Sequence, residues 1–420
     1  MALFVYSLLI CLALPFVLFK LWWRSRHDPV LRQHWRERLG YVRCSSHPVL
    51  WVHAVSVGET IAAAPLVKAL RARHPQACIL VTAMTHTGRE RAQALFGDSV
   101  DYAYVPYDYP GAIARFLERV RPRVLIVMET ELWPNIITRT KAAGTPVIVA
   151  NARLSERSAR GYRRVSWLSR ALFAQLDWVA AQAEADARRY IDVGARPDAV
   201  AVTGSVKFDI TVSETVRQQS RALRTQLGET RPVWIAASTH EGEDEQLLRV
   251  HHAVLQRWPE ALMILVPRHP ERFRSVARLV KEEGYSLARR SREDSACTAQ
   301  VYLGDTMGEL LMLFGVADAA FIGGSLITRG GHNPLEAAAW GIPVLTGPHV
   351  FNFIDVFERL DEGGGLVRIA SSKELEQHLV KLLGDRRYRE TIGTNGAAVL
   401  EANQGALQRL LQGIEARIDP

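Results

Sequence analysis

Short apolar runs rich in β-branched residues alternate with helix-like stretches along most of the chain, and this alternation constrains the fold more than any other feature. Seven runs lie in the first half: PVLWVHAV, ACILVTAM, VDYAYVPYD, RVLIVMET, PVIVANAR, DWVAAQ and AVAVTGS. Five lie in the second half: PVWIAAST, ALMILVPRHP, AQVYLGD, AAFIGGS and IPVLTGP. Near-continuous apolar strands separated by helices are typical of parallel sheets that are covered on both faces. The pattern therefore predicts an α/β fold of the doubly wound kind.

A polar stretch without strand character, from about residue 210 to 231, separates the two groups of predicted strands. With 420 residues, 48% of them hydrophobic, the chain is long enough for two domains that each bury a full core. We therefore predict two Rossmann-like domains with a cleft between them, over residues 24–215 and 216–420. Ligands bind beyond the carboxyl ends of the strands in such sheets. The residues that follow each strand are therefore the candidate site residues.

The first nineteen residues, MALFVYSLLICLALPFVLF, carry no charge, and a flank with seven Lys or Arg residues follows from Lys20 to Arg43. A cleaved signal peptide would place its positive charge before the apolar run. The segment instead predicts an uncleaved membrane anchor over residues 1–23, with Trp22 at the membrane surface. The positive-inside rule then places the rest of the chain in the cytoplasm. Because the run is barely one bilayer long and contains Pro15, it could span the bilayer or lie in one leaflet.

The formal net charge is +8 and the basic residues are overwhelmingly arginine, which favours anionic partners such as phosphates or phospholipid headgroups. Nucleic acid is a poor candidate because no recognised binding module accompanies the charge. The stretch 151–173 mixes arginines with aromatic residues, and it is either a contact for anionic lipid or a solvated helix face. The four cysteines, Cys11, Cys44, Cys78 and Cys297, have no spacing that indicates a disulfide framework or a zinc site.

The richest motif is the string GGSLITRGGHNPLEAAAWGIPV in the second half. Gly323–Gly324 follow a predicted strand and let the backbone come close to a ligand. Asn333 suits a helix N-cap, Pro334 the first helical position and Gly341 the end of the helix. The turn through Leu335 then offers N–H groups to an anion. Glu336 could accept hydrogen bonds from a nucleotide ribose, or it could simply complete a capping box. The whole string predicts nucleotide binding.

Two further strand-end segments of the second half predict parts of the same site. VPRHPERF places Arg268 and His269 after a strand, where a guanidinium can pair with phosphate oxygens; a solvated charge cluster is the alternative. GDTMGEL places Gly308 and Glu309 in a turn before an apolar helix, and its simpler interpretation is a helix start.

Three charged residues follow strands of the first half. WVHAVSVGET places Glu59 at the turn that opens a helix, where it is either a general base for a sugar hydroxyl or a carboxylate that complements the helix dipole. LIVMETELWPN brings Glu129 and Glu131 to the end of another strand, and two acidic residues there are hard to explain as packing. GSVKFD supplies Lys207, which either neutralises an anionic substrate or is an ordinary surface lysine.

In this order behind an apolar N-terminus, HAVSVGE, METELWPN, NARLS, TGSVKFD, PRHPERF, GDTMGEL and GGHNPLEAA resemble the Kdo (3-deoxy-D-manno-octulosonic acid) transferases of lipopolysaccharide synthesis. These are two-domain (GT-B) glycosyltransferases, and the resemblance runs from about Trp51 to Pro348. It implies CMP-β-Kdo as donor, a lipid A precursor as acceptor, and a place among the anionic lipids of the inner membrane. It also implies Glu59 as proton acceptor, with Glu129 and Lys207 as stabilisers of the transition state.

The resemblance also implies inverting transfer without a metal ion, since Arg268 and a helix N-terminus can stabilise the departing CMP. The sequence has no D-x-D-type or His-rich ligand cluster that would indicate a metal site. Two other functions compete. A GT-B transferase that uses a UDP-sugar on another lipid-linked acceptor would share the glycine-rich segment but not HAVSVGE and METELWPN. A noncatalytic nucleotide-binding protein at the membrane would leave Glu59, Glu129 and Lys207 unexplained.

Overall fold

Two seven-stranded parallel sheets form the framework of the chain. The computed structural model describes residues 2–24, 26, 34–43 and 47–418. Arg32 of the basic flank and Cys44 lie outside the described residues. The chain divides into two compact units, the first made of Met1–Asp209 with Gln404–Pro420 and the second of Ile210–Asn403.

Strands and helices alternate along the chain, as the apolar runs predict. The strands are β1 (Val49–His53), β2 (Cys78–Ala83), β3 (Asp101–Tyr104), β4 (Pro122–Met128), β5 (Val147–Ala152), β6 (Trp178–Ala181), β7 (Val200–Val202), β8 (Val233–Thr239), β9 (Leu262–Pro267), β10 (Leu287–Arg289), β11 (Val301–Leu303), β12 (Ala319–Ile322), β13 (Val344–Thr346) and β14 (Leu366–Arg368). The helices are α1 (Ala2–Arg24), α2 (Val57–Arg73), α3 (His86–Phe96), α4 (Pro110–Val120), α5 (Pro134–Ala142), α6 (Glu156–Arg164), α7 (Ser166–Phe173), α8 (Glu184–Asp192), α9 (Glu214–Leu227), α10 (Asp244–Arg257), α11 (Phe273–Glu282), α12 (Leu310–Phe314), α13 (Leu335–Ala338), α14 (Ile354–Glu362), α15 (Ser372–Gly384), α16 (Arg386–Asn403) and α17 (Ala406–Ile418).

In each sheet the chain adds strands first on one side of the initial strand and then on the other side. The order is β3-β2-β1-β4-β5-β6-β7 in the first unit and β10-β11-β9-β8-β12-β13-β14 in the second. All neighbouring strands are parallel. The reversals of strand order fall between β1 and β4 and between β8 and β12, and in doubly wound sheets these are the places where ligands bind.

The predicted fold class is confirmed, because both sheets are parallel and lie among alternating helices. All twelve predicted strands are present. The sequence analysis missed β10 and β14, which lie at sheet edges and span only three residues each, Leu287–Arg289 and Leu366–Arg368. An edge strand of this length with a terminal arginine lacks the apolar run by which the other strands were recognised.

The last helix departs from the predicted domain division. Residues 216–420 were assigned to the second domain, but α17 belongs to the first unit. Its buried residues, which pack in the core of that unit, are Ala406, Leu410, Leu411, Ile414 and Ile418. The Asp209 carboxylate accepts hydrogen bonds from the N–H groups of Gly405 and Leu407, both at 2.6 Å, and so caps the helix. The apolar stripe of α17 predicts a buried face but not which core it joins.

Helix α1 lies against α5 and α7 of the first unit along one stripe. The stripe recurs every three or four residues, as one helix face requires. Its partly buried members are Leu3, Tyr6, Ser7, Ile10, Leu14, Leu18 and Leu21. The opposite face is apolar and exposed, with Leu12 at 69% and Phe16 at 73% exposure. Over Leu3–Trp23 the helix is long and apolar enough to cross a membrane.

Polar contacts fasten α1 to the beginning of α5. The Ser7 hydroxyl donates a hydrogen bond to Oδ1 of Asn135 at 2.9 Å, and the Tyr6 hydroxyl is hydrogen-bonded to the Asp108 carboxylate. Asp108 also accepts hydrogen bonds from the N–H groups of Asn135 and Ile136, at 3.0 and 2.7 Å. Asp108 therefore caps α5 and holds α1 to the same point.

Replacing Ile414 with alanine is expected to lower the free energy of unfolding by about 2–5 kcal/mol, because this fully buried side chain leaves a cavity. The loss should appear as faster hydrogen exchange in β4 and β5, against which α17 packs. Gln412→Ala is the matched control, because Gln412 is exposed on the same helix and should change stability by less than about 0.5 kcal/mol. Faster exchange confined to β8–β14 would contradict the place of α17 in the first unit.

Candidate functional site

Glu59 lies in the first turn of α2, just after the carboxyl end of β1. Ser56 is the N-cap, and its Oγ accepts a hydrogen bond from the Glu59 N–H at 3.3 Å. In return, Oε2 of Glu59 accepts a hydrogen bond from the Val55 N–H at 2.6 Å. These two bonds form a capping box that is shifted by one residue. Glu59 therefore does stabilise the start of α2.

The surroundings of Glu59 favour its protonated form. The side chain is buried, with 8% of its surface exposed. Burial, and then the negative charges of Glu131 and Glu129, raise the pKa of Glu59 to about 7, although the Val55 N–H opposes the shift. A carboxyl group with a pKa near neutrality is well matched to general base catalysis at ordinary pH. Glu59 thus combines a capping contact with the proton affinity of a base.

The loop after β4 holds two further carboxylates. Glu129 has a φ of +55°, the left-handed conformation that residues other than glycine rarely adopt. Its N–H donates to the Ala150 carbonyl at 3.0 Å, and its carbonyl accepts from the Tyr190 hydroxyl at 2.9 Å. These contacts hold the strained backbone in place. The Glu131 carboxylate accepts a hydrogen bond from the Trp133 indole N–H at 3.1 Å.

Lys207 lies on the short 3-10 turn Val206–Phe208 that follows β7. The buried Asn151, at the end of β5, accepts a hydrogen bond on Oδ1 from the Val206 N–H at 3.2 Å and thereby fixes this turn. Burial raises the pKa of Glu129, while the positive charges of Lys207 and Arg153 act in the opposite direction. Lys207 is therefore close enough to act on the Glu129 carboxylate.

Glu59, Glu129 and Lys207, which the sequence analysis singled out separately, come together in the first unit with Glu131 and Arg153. We call this group the carboxylate cluster. The charges of Glu129 and Glu131 act on Glu59, and the charge of Lys207 acts on Glu129. Its carboxylates follow β1 and β4, the strands that flank the reversal of strand order, and its cations follow β5 and β7. A base beside a second carboxylate and a cation can deprotonate a hydroxyl where charge develops in a transition state.

In the second unit, the N–H groups of the glycine turn after β12 bind a carboxylate of the protein itself. Three consecutive N–H groups, those of Gly324, Ser325 and Leu326, donate hydrogen bonds to the Glu243 carboxylate at 2.7, 3.2 and 3.1 Å. The His240 N–H donates to the same carboxylate at 3.0 Å. Glu243 is fully buried. It therefore fills the turn as an anionic ligand would, and it ties the loop after β8 to the loop after β12.

The structure shows a packing role for Gly323–Gly324, and the predicted approach of a ligand to their backbone stays a prediction. A Cβ at Gly323 would lie 2.5 Å from the Ser238 carbonyl oxygen at the end of β8. Gly324 has a φ of +71°, which favours glycine. Both glycines are required by the packing of two strand ends and by the bonds to Glu243.

Five basic side chains surround this turn, and we call them the basic cluster: His240, Arg268, His269, Arg329 and His332. The rings of His240 and His332 stack at 5.1 Å with their Nε2 atoms 2.8 Å apart, and the His269 ring meets His240 edge-on at 5.4 Å. Burial, followed by the neighbouring cations, lowers the pKa of both His240 and His332 to about 4. At neutral pH His240 and His332 are therefore uncharged, while Arg268 and Arg329 bring positive charge to the cluster.

The sequence analysis found Arg268 and His269 but missed His240, Arg329 and His332. His240 directly follows the predicted strand PVWIAAST, so its strand-end position was a usable signal. Arg329 and His332 lie inside a long loop, where strand-end position gives no guidance. Arg329 and His332 nevertheless belong to the glycine-rich string that predicted nucleotide binding.

The Glu309 carboxylate is engaged within the second unit. Arg290 binds it through two hydrogen bonds, from one terminal nitrogen to Oε1 at 2.7 Å and from Nε to Oε2 at 3.0 Å. The Thr306 hydroxyl donates to it as well. The Arg290 contact is the main reason that the pKa of Glu309 is lowered. Gly308 is exposed with a φ of +83°, so the turn, rather than the Glu309 carboxylate, is the surface that a ligand could meet.

The turn at Asn333 is shorter than the sequence predicted. The helix that was expected to run to Gly341 is the single turn Leu335–Ala338. Asn333 does cap it, since its Oδ1 accepts a hydrogen bond from the Leu335 N–H at 3.1 Å. Pro334 has no N–H, and the Leu335 N–H is already bonded to Asn333. Neither of these two positions therefore offers a free donor to an anion. One turn has only a weak dipole, and the basic cluster is the stronger anion site.

Glu336 is a partly buried carboxylate, and burial raises its pKa. A capping box would return a hydrogen bond from the Asn333 N–H to Glu336, but no such bond forms among the residues that the structure describes. A carboxylate that closes no capping box can accept hydrogen bonds from the hydroxyl groups of a ligand. Glu336 therefore suits a nucleotide ribose better than a helix cap.

Comparison with known proteins gives a consistent result. Residues 33–210 match the family described as 3-deoxy-D-manno-octulosonic-acid transferase (kdotransferase). The chain is 43% identical to the 3-deoxy-D-manno-octulosonic acid transferase of Haemophilus influenzae over 97% of both chains. Its identity to the Bordetella pertussis transferase is 38%, over 87% of this chain and 86% of the relative. Anabaena HepE in complex with UDP has a similar fold, with a TM-score of 0.55 at 15% identity over 88% of this chain and 99% of that chain.

Replacing Glu59 with glutamine is expected to stabilise the protein increasingly as the pH rises from 4.5 to about 7. In that window the folded protein keeps a proton on Glu59 that the unfolded chain has lost, so the wild-type free energy of unfolding falls as the pH rises. The shift corresponds to about 3 kcal/mol, which the glutamine variant would not lose. Denaturant unfolding of both proteins at pH 5 and pH 8 measures the difference. Glu118→Gln, at an exposed position, is the control, and an equal Glu59→Gln effect at both pH values would contradict the raised pKa.

Proposed function

Because the chain belongs to the 3-deoxy-D-manno-octulosonic acid (Kdo) transferase family, whose members are glycosyltransferases of lipopolysaccharide synthesis, we propose that it transfers Kdo from CMP-β-Kdo to the lipid A precursor lipid IVA. The observation that best supports this reaction is the carboxylate cluster. It contains a base of near-neutral pKa, Glu59, and a carboxylate compensated by a lysine, Glu129 with Lys207. The donor is suggested by the basic cluster and by the partly buried Glu336.

Glu59 accepts the proton of the acceptor hydroxyl in this proposal. The hydroxyl oxygen attacks the anomeric carbon of Kdo while the bond from that carbon to the phosphate oxygen breaks, and CMP leaves. A single displacement of this kind inverts the configuration at the anomeric carbon. With a pKa of about 7, Glu59 is ionised in a large fraction of molecules at neutral pH.

Glu129 and Lys207 stabilise the transition state of the transfer. Positive charge develops at the anomeric carbon as the bond to phosphate breaks, and a carboxylate held nearby stabilises it. The fixed backbone of Glu129 suits this role, because its carboxylate need not reorganise during the reaction. Lys207 neutralises the carboxylate of the Kdo sugar.

The basic cluster and the turns beside it hold the CMP group. Arg268 and His269 bind the phosphate, which gains a negative charge when CMP departs, and side-chain cations take the place of a metal ion. Glu336 accepts hydrogen bonds from the ribose hydroxyl groups. The Gly308–Glu309 turn and the Asn333–Leu335 turn border the nucleotide.

Helix α1 attaches the protein to the cytoplasmic leaflet of the inner membrane and lies within that leaflet. Its inner stripe packs on the first unit along the length of the helix, and Tyr6 and Ser7 bond to the polar start of α5. A spanning α1 would carry Asp108 and the start of α5 towards the far side of the bilayer, at a high cost in desolvation. The exposed Trp167 on α7, which lies beside α1, and the arginines of α6 meet the anionic lipid surface.

Glu59→Gln is expected to lower kcat for Kdo transfer by about 10²–10⁴-fold, because glutamine keeps the Val55 contact but cannot accept a proton. CMP affinity should remain unchanged, since the residues proposed to bind CMP lie in the other unit. CMP release from CMP-Kdo with the lipid acceptor measures kcat, and calorimetry measures CMP binding. Glu118→Gln is the control for a carboxylate change on the surface, and near-normal turnover of the Glu59 variant would remove Glu59 from this role.

The same assays test the donor. UDP-GlcNAc is the control donor, and its turnover at a rate comparable with that of CMP-Kdo would favour a UDP-sugar transferase instead. CMP should bind more tightly than UMP or UDP, and equal or weaker binding of CMP would count against the proposed donor.

The placement of α1 predicts the accessibility of its first residues. A cysteine in place of Ala2, in a chain whose own cysteines are changed to serine, should react with a membrane-impermeant maleimide only where the cytoplasmic face is accessible, as in inside-out vesicles. Glu118→Cys in the same background marks that face. Labelling of position 2 in intact spheroplasts would show that α1 crosses the bilayer.

A further inference from the structure

A groove opens within the first unit between α1 and the body of that unit. Its volume is about 330 Å³, at the lower end of the range of about 300–1,000 Å³ for small-molecule sites. Helix α1 forms one wall with residues between Tyr6 and Val17. Tyr107–Asp108 and Leu132–Pro134 form the opposite wall.

The groove suits a hydrocarbon. Its α1 wall consists of aliphatic side chains from Ile10 onwards, and the facing loop adds Leu132 and Trp133. The polar groups lie at the Tyr6 end, where the hydroxyl is already bonded to Asp108 and that carboxylate is further bound by two N–H groups of α5. Because the Tyr6 hydroxyl and the Asp108 carboxylate already have hydrogen-bond partners, the groove offers a ligand mainly apolar contacts.

The groove shares a loop with the carboxylate cluster. Trp133, one of its lining residues, donates its indole N–H to Glu131 at 3.1 Å. The Trp133 ring also meets the His53 ring edge-on at 6.2 Å, at the end of β1 that leads to Glu59. The loop that lines the groove therefore also carries a residue of the carboxylate cluster, Glu131.

The surroundings of α1 identify the source of the hydrocarbon. The face of α1 turned away from the groove is apolar and exposed, with Phe4 at 71%, Leu12 at 69% and Phe16 at 73% exposure. An exposed apolar face of this extent belongs in lipid. The groove therefore lies where fatty acyl chains are the abundant apolar groups.

We propose that the groove binds one fatty acyl chain of the lipid-linked acceptor and thereby brings the sugar hydroxyl of that acceptor to Glu59. This inference rests on the proposed function, because it requires an acylated acceptor. The chain supplies apolar binding energy remote from the reacting atoms, and the loop from Glu129 to Pro134 connects that binding to the base. The groove thus selects for an acceptor that carries an acyl chain.

A tryptophan at position 13 tests the groove, because Ala13 is one of its lining residues and the larger side chain fills the space. Leu12→Trp is the matched control, since Leu12 is the adjacent residue and is 69% exposed. Both variants and the wild type are assayed with lipid IVA and with the same phosphorylated disaccharide after complete deacylation. Ala13→Trp should raise KM for lipid IVA at least about tenfold and leave KM for the deacylated acceptor unchanged. Leu12→Trp should change neither value.

The deacylated acceptor separates the two proposals. If wild-type protein transfers Kdo to neither acceptor, the proposed function fails and the groove inference falls with it. If it uses lipid IVA and Ala13→Trp leaves KM for that acceptor unchanged, only the groove inference is overturned. The same holds if KM rises equally for both acceptors, since that result indicates a general disturbance of the site.

Photocrosslinking adds a readout that does not depend on turnover. Lipid IVA with a diazirine near the end of one acyl chain, in phosphatidylethanolamine vesicles, should label peptides that contain Ala13–Val17 or Leu132–Pro134. Unmodified lipid IVA should compete, whereas additional phosphatidylethanolamine should not. Labelling that phospholipid suppresses equally well would assign the groove to bulk lipid and overturn the inference.

Discussion

In each unit, one buried carboxylate bound by backbone N–H groups joins segments that follow different strands. Asp108 binds the first N–H groups of α5 and the Tyr6 hydroxyl of α1, and Glu243 binds one N–H from the loop after β8 and three from the loop after β12. Burial raises the pKa of both carboxyls, and the hydrogen bonds oppose that shift. A buried charge is tolerated only while such donors surround it. Movement of either set of loops would therefore expose an unsatisfied charge, and this cost fixes the elements that carry the carboxylate and basic clusters.

The two clusters show that the same kind of sheet can carry an acidic site in one unit and a basic site in the other. Both lie at strand ends beside a reversal of strand order, yet the first unit places acidic residues there and the second places histidines and arginines. The sheets themselves consist of apolar residues in both units. The chemical character of each site therefore depends on the few residues that follow the strands, not on the sheet that positions them.

The strands and site residues that could be predicted from the sequence are those marked by an apolar run or by a position after one. The apolar runs predicted twelve strands in order. Glu129 and Arg268 stood out because a charge directly follows an apolar run, and Glu59 and Lys207 because a charge lies in the segment after a strand. The role of Glu243 could not be found in this way, since its partner Gly324 lies 81 residues further along the chain. The place of α17 in the first unit was not predicted for a similar reason. An apolar stripe shows that a helix face is buried, but not which core it packs in. The catalytic and binding roles of the individual residues remain predictions.

The return of α17 to the first unit has a consequence for the synthesis of the protein. The chain must make residues 210–403 before the helix that completes the first core leaves the ribosome. At about 5–20 residues per second, this interval lasts roughly ten to forty seconds. Throughout it, the apolar surface of α2, β4 and β5 that α17 later covers is open to solvent or to chaperones. The first unit of the chain to be made is therefore the last to be finished, and a nascent chain that stalls in the second unit leaves both units incomplete.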